Sequence, residues 1–267
     1  MRSLFRPRAH RAIPILAVVA TALLTACSSS GTKVAGPSTS HSVPITPPTT
    51  SSAQNPLTIA PNYHPTIDAA KFTSHVTNPY FALTPGNVKH YKGVRDGQPT
   101  DHVFTVTGQT KTVLGVPCVV ISDVVTQNQS LVEKTTDWYA QDSGGNVWYF
   151  GEDTAEYQNG VVTSTAGTWE AGVDGAQPGI VMPAHPVNGS SYRQEYRPGV
   201  ALDEATILST TESVRVPAGS YRNAVMTFDK NPLDPSKMER KWYVADVGFV
   251  RAELHGGGHT ETTELVK

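Results

Sequence analysis

The sequence predicts an all-β fold of antiparallel meanders that form a barrel, a half-barrel or a sandwich. Val, Thr, Tyr, Phe and Trp cluster in short runs, and turn-forming residues separate these runs. No stretch keeps the apolar period of roughly 3.6 residues that marks an amphipathic helix. Because the turns between the runs are short, neighbouring strands are expected to be antiparallel.

Thirteen candidate strands follow one another between residues 88 and 266. They span residues 88–94, 101–107, 111–114, 118–127, 131–141, 147–152, 191–197, 205–208, 213–216, 221–229, 238–245, 249–255 and 260–266. Turn sequences lie at residues 95–97, 142–146, 158–160 and 231–235. Gly, Asn, Asp and Pro dominate these turns, and each favours the backbone geometry that reverses a chain.

A weak internal repeat divides the strands into two sets. Pairs of identical residues lie 104 residues apart without a gap: Gly115 and Gly219, Trp138 and Trp242, Tyr139 and Tyr243, and Asp142 and Asp246. Upstream, the segment from Gly86 to Tyr91 resembles the segment from Gly189 to Tyr196. We therefore expect two related meanders, joined by an insertion at about residues 153–181, that cover each other's apolar faces or curl into a barrel.

The strand at residues 131–141 has one apolar and one polar face. The apolar face holds Val132, Thr136, Trp138 and Ala140, together with Lys134, and the polar face holds Glu133, Thr135, Asp137, Tyr139 and Gln141. Because side chains alternate between the two faces of a strand, the first set is expected to face the core and the second to face water. The run from Cys118 to Val125 is apolar on both faces and predicts a central, covered strand.

The first 26 residues have the layout of a secretory signal. Four arginines precede an apolar run from Ile13 to Leu24, and small residues follow at the expected cleavage site, directly before Cys27. The apolar run is about a dozen residues long, whereas a membrane-spanning helix needs roughly 20. The sequence Leu24-Thr25-Ala26-Cys27 resembles the lipobox of bacterial lipoproteins. The resemblance implies that the Cys27 sulfur carries a diacylglycerol and becomes the mature N-terminus, so we expect a lipid anchor on the extracytoplasmic side of the cell membrane.

Residues 27–65 are expected to form a lipidated cysteine and a disordered tether. Ser, Thr, Pro and Gly dominate this stretch, and Lys33 is nearly its only charge. Such a composition buries too little apolar surface to offset the entropy of ordering the chain. A β domain of about 200 residues, at 66–267, then follows the tether.

The charge and cysteine content exclude some functions. The whole chain has 21 Lys and Arg against 23 Asp and Glu, and four of the arginines lie in the first 26 residues, which leaves a formal charge of −6 after cleavage. A chain of this charge has no basic surface for nucleic acid. Cys118 is the one cysteine besides Cys27, and its apolar surroundings predict a buried, unreactive thiol.

The exported part is similar to a group of bacterial envelope lipoproteins of unknown function. The similarity is carried by the opening at residues 78–86 followed by Tyr91, and by residues 138–142 and 147–152. It spans most of residues 78–254 and implies an antiparallel β domain, but it brings no established activity with it. The curved half-barrel of lipoprotein carriers is an analogy at the level of the fold alone.

The insertion and the strands beside it form the main candidate binding site. No familiar catalytic motif occurs in the exported part. The insertion is rich in Gly and Pro and carries an aromatic residue and acids, and long loops on a rigid β scaffold often hold binding sites. The candidate lining residues are Trp148, Tyr149, Glu152, Trp169, Glu170, Asp174, His185 and Glu195.

Two short segments are candidate metal sites with simpler alternatives. The loop from Asp142 to Asn146 crowds oxygen ligands that could hold Ca²⁺, but a hairpin turn explains it equally. His255 and His259 flank three glycines and could share Zn²⁺ or Cu²⁺ if Glu253 or Glu261 supplied a third ligand. A glycine-rich hairpin loop with exposed histidines is the alternative there.

The sequence favours a non-catalytic, lipid-anchored domain that binds an envelope ligand or protein, with no cofactor. One alternative is an envelope hydrolase that uses Glu170, Asp174 or Glu195 as paired carboxylates across a cleft. Another is a lipid carrier, which requires a deep apolar cavity inside the barrel. The ligand and the oligomeric state are not specified by the sequence.

Overall fold

The computed structural model describes residues 55–256 and 258–267, and about two thirds of them belong to β-strands. The strands are β1 (Phe72–Thr73), β2 (Val88–Arg95), β3 (Gln98–Val113), β4 (Val116–Gln127), β5 (Ser130–Asp142), β6 (Val147–Gln158), β7 (Val161–Ser164), β8 (Trp169–Glu170), β9 (Gln177–Met182), β10 (Ser191–Arg193), β11 (Glu195–Tyr196), β12 (Glu204–Val216), β13 (Gly219–Asn231), β14 (Asp234–Val244), β15 (Gly248–Gly256) and β16 (His259–Leu265). One 3₁₀ turn, Ala69–Lys71, precedes β1. Within these residues, no helix has the length and hydropathy needed to cross a membrane.

The strands form one antiparallel sheet that curls almost into a closed barrel. Its order is β10-β12-β13-β14-β15-β16-β2-β3-β4-β5-β6-β9-β11. Only Gln194 separates β10 from β11, which are the two ends of this order. One continuous segment therefore pairs with β12 at one end of the sheet and with β9 at the other. The all-β, antiparallel prediction is confirmed.

Two meanders with the same strand order build this barrel. The first is β2-β3-β4-β5-β6, and the second is β10-β12-β13-β14-β15. Trp138 and Tyr139 lie on β5, while their counterparts Trp242 and Tyr243 lie on β14, the equivalent strand of the second meander. The meanders meet at two seams, where β16 pairs with β2 and β9 pairs with β11. The repeat in the sequence thus corresponds to a repeat in strand order.

Each seam contains a glycine that has no room for a side chain. A Cβ atom on Gly93 of β2 would overlap the carbonyl oxygen of Thr262 on β16. A Cβ atom on Gly179 of β9 would overlap the main chain of Arg193 and Gln194. Neither glycine has a positive φ, so its own backbone conformation does not require glycine. The reason is the close approach of the neighbouring backbone, which leaves no room for a Cβ atom.

The predicted insertion is itself β-structure. Instead of forming a long loop, residues 153–181 continue β6 and then supply β7, β8 and most of β9, all of which pair with β6.

Two pairs of predicted strands merge into single strands in the structure. The predicted strands at residues 101–107 and 111–114 fall in the single strand β3, which ends at Val113 and has a register shift between Val106 and Thr110, and those at 205–208 and 213–216 fall in the single strand β12. Bulges let a strand continue through a break in its alternation.

The strand β12 is irregular along its length. Its pairing with β13 shifts register three times, between Ile207 and Ser209, between Ser209 and Glu212, and between Glu212 and Val214. On its other side, β10 pairs only with residues 204–206, and Gly189 and Ser190 add hydrogen bonds to Ile207. Among the described residues, no strand pairs with the outer side of β12 beyond that point.

The predicted orientation of β5 is wrong. Thr135, Asp137 and Tyr139, which were expected to face water, are 5%, 6% and 8% exposed and point into the barrel. Lys134, on the opposite face, is exposed, while Trp138 on that face is covered from outside by Lys111, whose Nζ lies 3.3 Å from the ring centroid. Alternation separates the two faces of a strand, but it does not say which face a closed barrel encloses.

Apolar packing is concentrated at one end of the barrel and on part of its outer surface. Outside, Phe72 of β1 meets Trp148 and Phe150 edge-on at 5.9 and 5.5 Å between ring centroids. At the barrel end, the loop before β2 inserts Phe81, which lies 5.3 Å from Tyr139 and 6.4 Å from Tyr243 between ring centroids. The two equivalent tyrosines of the repeat therefore contact the same ring.

The segment before β1 already contacts the domain. The Leu57 amide donates to Ser190 Oγ at 3.0 Å, and the Leu57 carbonyl accepts from the Ser191 amide at 2.8 Å. The Tyr63 hydroxyl donates to the Pro178 carbonyl at 2.8 Å. Both residues fall within the stretch predicted as a tether, and they lie along the seam between β9 and β10–β11. Residues 1–54, which include the predicted signal and Cys27, lie outside the described residues.

Candidate functional site

A chamber of about 250 Å³ lies inside the barrel. Its lining combines acids, lysines and aromatic rings: Phe81, Tyr139, Tyr149, Val181, Gln194, Glu195, Asp203, Asp229, Lys230, Asn231, Lys237, Met238, Glu239, Lys241, Tyr243 and Leu254. The strands β5, β6, β9, β13, β14 and β15 supply most of them. The exposed Lys230 and the hairpin residue Asn231 mark the mouth, and Phe81 marks the opposite end.

Lys241 lies at the centre of the charged groups. Its Nζ lies 3.0 Å from Asp229 Oδ2 and 3.0 Å from Glu239 Oε2. Asp229 Oδ2 also accepts a hydrogen bond from Gln194 Nε2 at 3.2 Å. Register explains the grouping, because Asp229 of β13 pairs with Glu239 of β14, and Thr227 pairs with Lys241. Alternate residues of two neighbouring strands thus point to the same space.

Burial raises the pKa of five carboxyl groups in and beside the chamber. The pKa of Asp203 is raised to about 6 and that of Glu239 to about 7, although Lys241 opposes both shifts. Burial raises the pKa of Asp137 to about 8, and the nearby Asp123 adds to the shift. The pKa values of Glu152 and Glu195 are raised well above their ordinary range, first by burial and then by neighbouring carboxyls. Removal from water disfavours the charged form of an acid.

The same environment keeps Lys241 charged. Burial alone would lower its pKa, but the carboxylates of Asp229 and Glu239 together outweigh that effect and raise the pKa well above its ordinary value. The chamber therefore holds a firmly charged Lys241 near several carboxyl groups that retain their protons to unusually high pH.

Aromatic rings form one wall of the chamber. Tyr139 and Tyr149 stack with ring centroids 4.6 Å apart and an interplanar angle of 14°. Tyr149 meets Trp169 edge-on at 5.4 Å, and its hydroxyl donates to Asp137 Oδ1 at 2.5 Å. Trp169 is 2% exposed, and its indole ring lies beside Glu195. These contacts fix the rings, so the wall is preorganised.

Some buried polar atoms around the chamber have no hydrogen-bond partner among the described residues. Asp229 Oδ1, the Tyr192 hydroxyl and Thr227 Oγ1 are such atoms. Their residues are adjacent across strands, because Tyr192 pairs with Ala205, and Ala205 pairs with Asp229. Buried polar atoms in native proteins nearly always have a partner, which is often a water molecule or a ligand.

A second charged network lies further around the interior, near the β2–β3 hairpin. Arg95 Nε donates to Glu261 Oε2 at 2.5 Å, and Arg95 Nη2 lies 3.8 Å from Glu133 Oε2. His102 forms an ion pair with Asp123. Burial lowers the pKa of His102, but the Asp123 carboxylate more than offsets this effect, and the net pKa is raised. The charges of this network are thus paired with one another.

The structure divides the predicted binding residues into two groups. Tyr149, Glu152, Trp169 and Glu195 lie in or beside the chamber. Trp148, Glu170, Asp174 and His185 lie elsewhere, each with its own surroundings. Gly151, where the pairing of β6 with β5 shifts register, separates Tyr149 from Glu152 and brings both side chains to the inner face.

The four residues outside the chamber make separate contacts. Trp148 Nε1 donates to Asp142 Oδ2 at 2.8 Å. Glu170 pairs with Lys111 at 2.7 Å, and Asp174 pairs with Arg197 at 2.9 Å. His185 is exposed in a surface groove of about 370 Å³ beside Asn146 and Ser190.

These positions bear on the two alternative functions. Glu170 and Asp174 bond to different cations outside the chamber, whereas Glu195 faces inward, so the three acids do not converge on one cleft as the hydrolase hypothesis requires. The chamber is small and lined by charged groups. Burying an acyl chain against such groups would cost their hydration without replacing it. The interior therefore does not fit the lipid carrier hypothesis.

The two segments considered for metal binding form hydrogen-bonded hairpin turns. Asp142 accepts from the Asn146 amide at 2.9 Å and from Asn146 Nδ2 at 2.8 Å, in addition to the Trp148 contact. His259 Nδ1 lies 2.7 Å from Asp96 Oδ2, and His255 pairs with Thr260 in the strand register. Within residues 55–256 and 258–267, no three His, Cys, Asp or Glu side chains are arranged to hold a metal ion.

Several residues of the chamber were missed in the sequence. Asp203, in the loop before β12, and Asp229, Glu239, Lys241 and Tyr243, on β13 and β14, were not among the predicted site residues. One signal for them does exist in the sequence. The 104-residue offset that relates Tyr139 to Tyr243 also relates Asp137 to Lys241, so the inner face of β5 predicts that of β14.

Cys118 is fully buried in β4, and burial raises the pKa of its thiol to about 12. A thiol in this state is a poor nucleophile.

Comparisons with known proteins give two structural neighbours. One is a "putative exported protein with YmcC-like fold" from Bacteroides fragilis NCTC 9343, at 15% identity and a TM-score of 0.43. The other is a "putative lipoprotein" from Parabacteroides distasonis ATCC 8503, at 17% identity and a TM-score of 0.38. Each alignment covers 70% of this chain and 97% of the neighbour. No protein-family model and no curated protein matches the chain.

Proposed function

We propose that the protein is an exported, lipid-anchored binding protein of the cell envelope that takes a small polar ligand into its barrel chamber. The observation that carries this proposal is the chamber itself, where a rigid, nearly closed sheet surrounds charged groups and fixed aromatic rings. Small-molecule sites combine concave shape, aromatic walls and a few converging polar groups. A volume of about 250 Å³ suits a ligand of metabolite size.

The lipobox sequence supports the location of this binding protein. Cys27 would hold the domain at the extracytoplasmic surface of the membrane, and the Ser- and Pro-rich stretch after it would act as the tether. One acyl chain binds a membrane only marginally, whereas two or more anchor a protein stably. Cofactors and nucleic acid have no role in this proposal.

Ligand binding is tested by thermal unfolding of the full chain in detergent with a panel of small amines, sugars and carboxylic acids. At least one class is expected to raise the Tm of the wild-type protein. Val181→Phe, which fills the chamber from β9, is expected to abolish the ligand-induced shift relative to its own ligand-free Tm. Val162→Phe makes the same change at an exposed position of β7 and should keep the shift. A panel without any shift, or an equal shift in Val181→Phe, contradicts binding in the chamber.

The lipid anchor is tested independently with Cys27→Ser. We expect this variant to leave the membrane fraction, or to accumulate with its leader uncleaved, because no other residue of the motif can accept the lipid. Fractionation and mass spectrometry of the N-terminus provide the readout, and Cys118→Ser is the matched control. Wild-type-like membrane association of Cys27→Ser would be evidence against the anchor.

A further inference from the structure

The chamber and its immediate surroundings hold many more acids than bases. Six carboxyl groups from six strands or loops surround this space: Asp137, Glu152, Glu195, Asp203, Asp229 and Glu239. Lys241 is a buried cation that pairs with two of them. Lys230 and Lys237 also line the chamber: Lys230 pairs with Glu204 at 3.1 Å, and the buried Lys237 pairs with Asp234 at 3.2 Å and is also near enough to Asp203 to be stabilised by its charge. The chamber and its surroundings therefore hold more carboxyl groups than lysines, and a cation bound there would favour the ionised form of carboxyls that burial keeps protonated.

Two unpartnered polar atoms point to the same place. Asp229 is 6% exposed and lines the chamber, and its Oδ1 has no hydrogen-bond partner among the described residues, although Oδ2 has two. Tyr192 is 4% exposed, and its hydroxyl is likewise unpartnered. Asp229, Tyr243 and Lys241 are the charged or ionisable groups that act on that hydroxyl, so it faces the same cluster. A carboxylate oxygen and a hydroxyl, both able to accept hydrogen bonds, are thus available for one donor-rich group.

The shape of the chamber suits an organic cation better than an inorganic one. The described residues contain no group of three or more His, Cys, Asp and Glu side chains in the arrangement that a metal ion needs. Rings of Phe81, Tyr139 and Tyr243 and the side chain of Val181 instead offer an apolar wall opposite the carboxylates. An ammonium group attached to a short carbon chain meets both requirements, since aromatic faces attract cations and also cover methylene groups.

We propose that the chamber binds a small aliphatic amine, with its ammonium group on Asp229 Oδ1 and the Tyr192 hydroxyl and its carbon chain against Phe81, Tyr139 and Tyr243. This inference rests on the proposed function, because it names the ligand class of the same chamber. A diamine reaches a second carboxyl group, Glu195 or Asp203, across the space that these residues line. A carboxylate that accepts from an ammonium group makes a charge-assisted hydrogen bond, which is stronger than a neutral one.

The test uses three ligands with four-carbon chains and different charges. The full chain in detergent is titrated at pH 8 with 1,4-diaminobutane, 1,4-butanediol and succinate by isothermal calorimetry. We expect saturable binding of the diamine and none of the diol or the dicarboxylate. Asp229→Asn should weaken diamine binding at least tenfold, because it removes the charge while it keeps the shape. Asp153→Asn makes the same change at an exposed position of β6 and should leave the affinity unchanged.

The possible results separate this inference from the proposed function. If a sugar or a carboxylic acid binds in a way that Val181→Phe abolishes while the diamine does not bind, the amine assignment is overturned and the binding function stands. If the diamine binds equally to Asp229→Asn and the wild type, the assigned ammonium site is overturned. Should Asp229→Asn fail to fold, Asp203→Asn replaces it, with the same tenfold loss expected. A diamine that stabilises Val181→Phe as much as the wild type places binding outside the chamber and contradicts both proposals.

The dependence of the affinity on pH gives a second readout. The pKa of Asp203 is raised to about 6 and that of Glu239 to about 7, so protons compete with the diamine below these values. Seven charged or ionisable groups face these two carboxyls: Lys237, Lys241, Arg193, Glu152, Glu195, Asp229 and Glu261. Diamine affinity should therefore rise at least tenfold from pH 5.5 to pH 8, and binding at pH 6.5 should release protons into the buffer. An affinity that is constant over this range contradicts the inference.

Discussion

We expect the free energy of unfolding to fall by about 3–5 kcal/mol as the pH rises from 5 to 9, because the barrel interior stabilises protonated carboxyl groups. Burial raises the pKa of Asp137 from its ordinary value of 3.8 to about 8, and those of Asp203 and Glu239 to about 6 and 7. Below pH 4 both the folded and the unfolded chain hold these protons, and the contribution to stability is fully present. Above pH 4 the unfolded chain releases them first, and the contribution is lost as the pH passes 6 to 8.

Urea unfolding of the full chain in detergent at a series of pH values measures this effect. Asp137→Asn keeps an acceptor for the Tyr149 hydroxyl but removes the ionisable group. The variant should therefore be more stable than the wild type at pH 9 and should show a shallower pH profile. Asp153→Asn, exposed on β6, should leave the profile unchanged. A stability maximum of the wild type at pH 8 or above would contradict this account of the interior.

Substitution of either seam glycine by alanine is expected to cost about 3 kcal/mol of stability, at the upper end of the usual range for overpacking. At Gly93 the new Cβ would overlap the Thr262 carbonyl oxygen, and at Gly179 it would overlap the main chain of Arg193 and Gln194. Main chain in a paired strand cannot move aside as a flexible side chain can. Each substitution therefore forces the two meanders apart at one seam.

Gly108→Ala is the matched control for both seam variants. Gly108 also lies in a strand, β3, but a Cβ atom there would have no neighbour within 4 Å. Its urea midpoint should stay close to that of the wild type, while the midpoints of Gly93→Ala and Gly179→Ala fall. Equal midpoints for all three variants would show that the seams tolerate a wider spacing than the structure has.

Much of the strand pattern could be predicted from the sequence because the information is local. The β-branched and aromatic runs and the turn residues lie within a few positions of each other, as at residues 118–127 and 131–141, which correspond to β4 and β5. The 104-residue repeat likewise anticipated two meanders with the same strand order. Closure is different, because β16 pairs with β2 across most of the domain and no local pattern specifies that partner.

The candidate site was predicted in part, and the reason for the failures is physical. Tyr149, Glu152, Trp169 and Glu195 stood out because they lie near an unusual insertion, and they do surround the chamber. Alternation along β5 identified Asp137 and Tyr139 as one face, but the rule that polar residues face water assigned that face to the wrong side. A barrel whose interior is acidic reverses the rule, and only the closed structure reveals the reversal.

The irregular course of β12 has a consequence for the molecule in crowded surroundings. Beyond Ile207 this strand presents backbone amides and carbonyls that no described strand covers, and such a border can recruit another polypeptide into a shared sheet. Its three changes of register twist and kink that border, so that a straight strand from a neighbouring molecule cannot match its hydrogen bonds over any useful length. Protein molecules at high local concentration would thus be protected from mutual aggregation, because the irregular pairing of β12 offers a neighbour no straight edge.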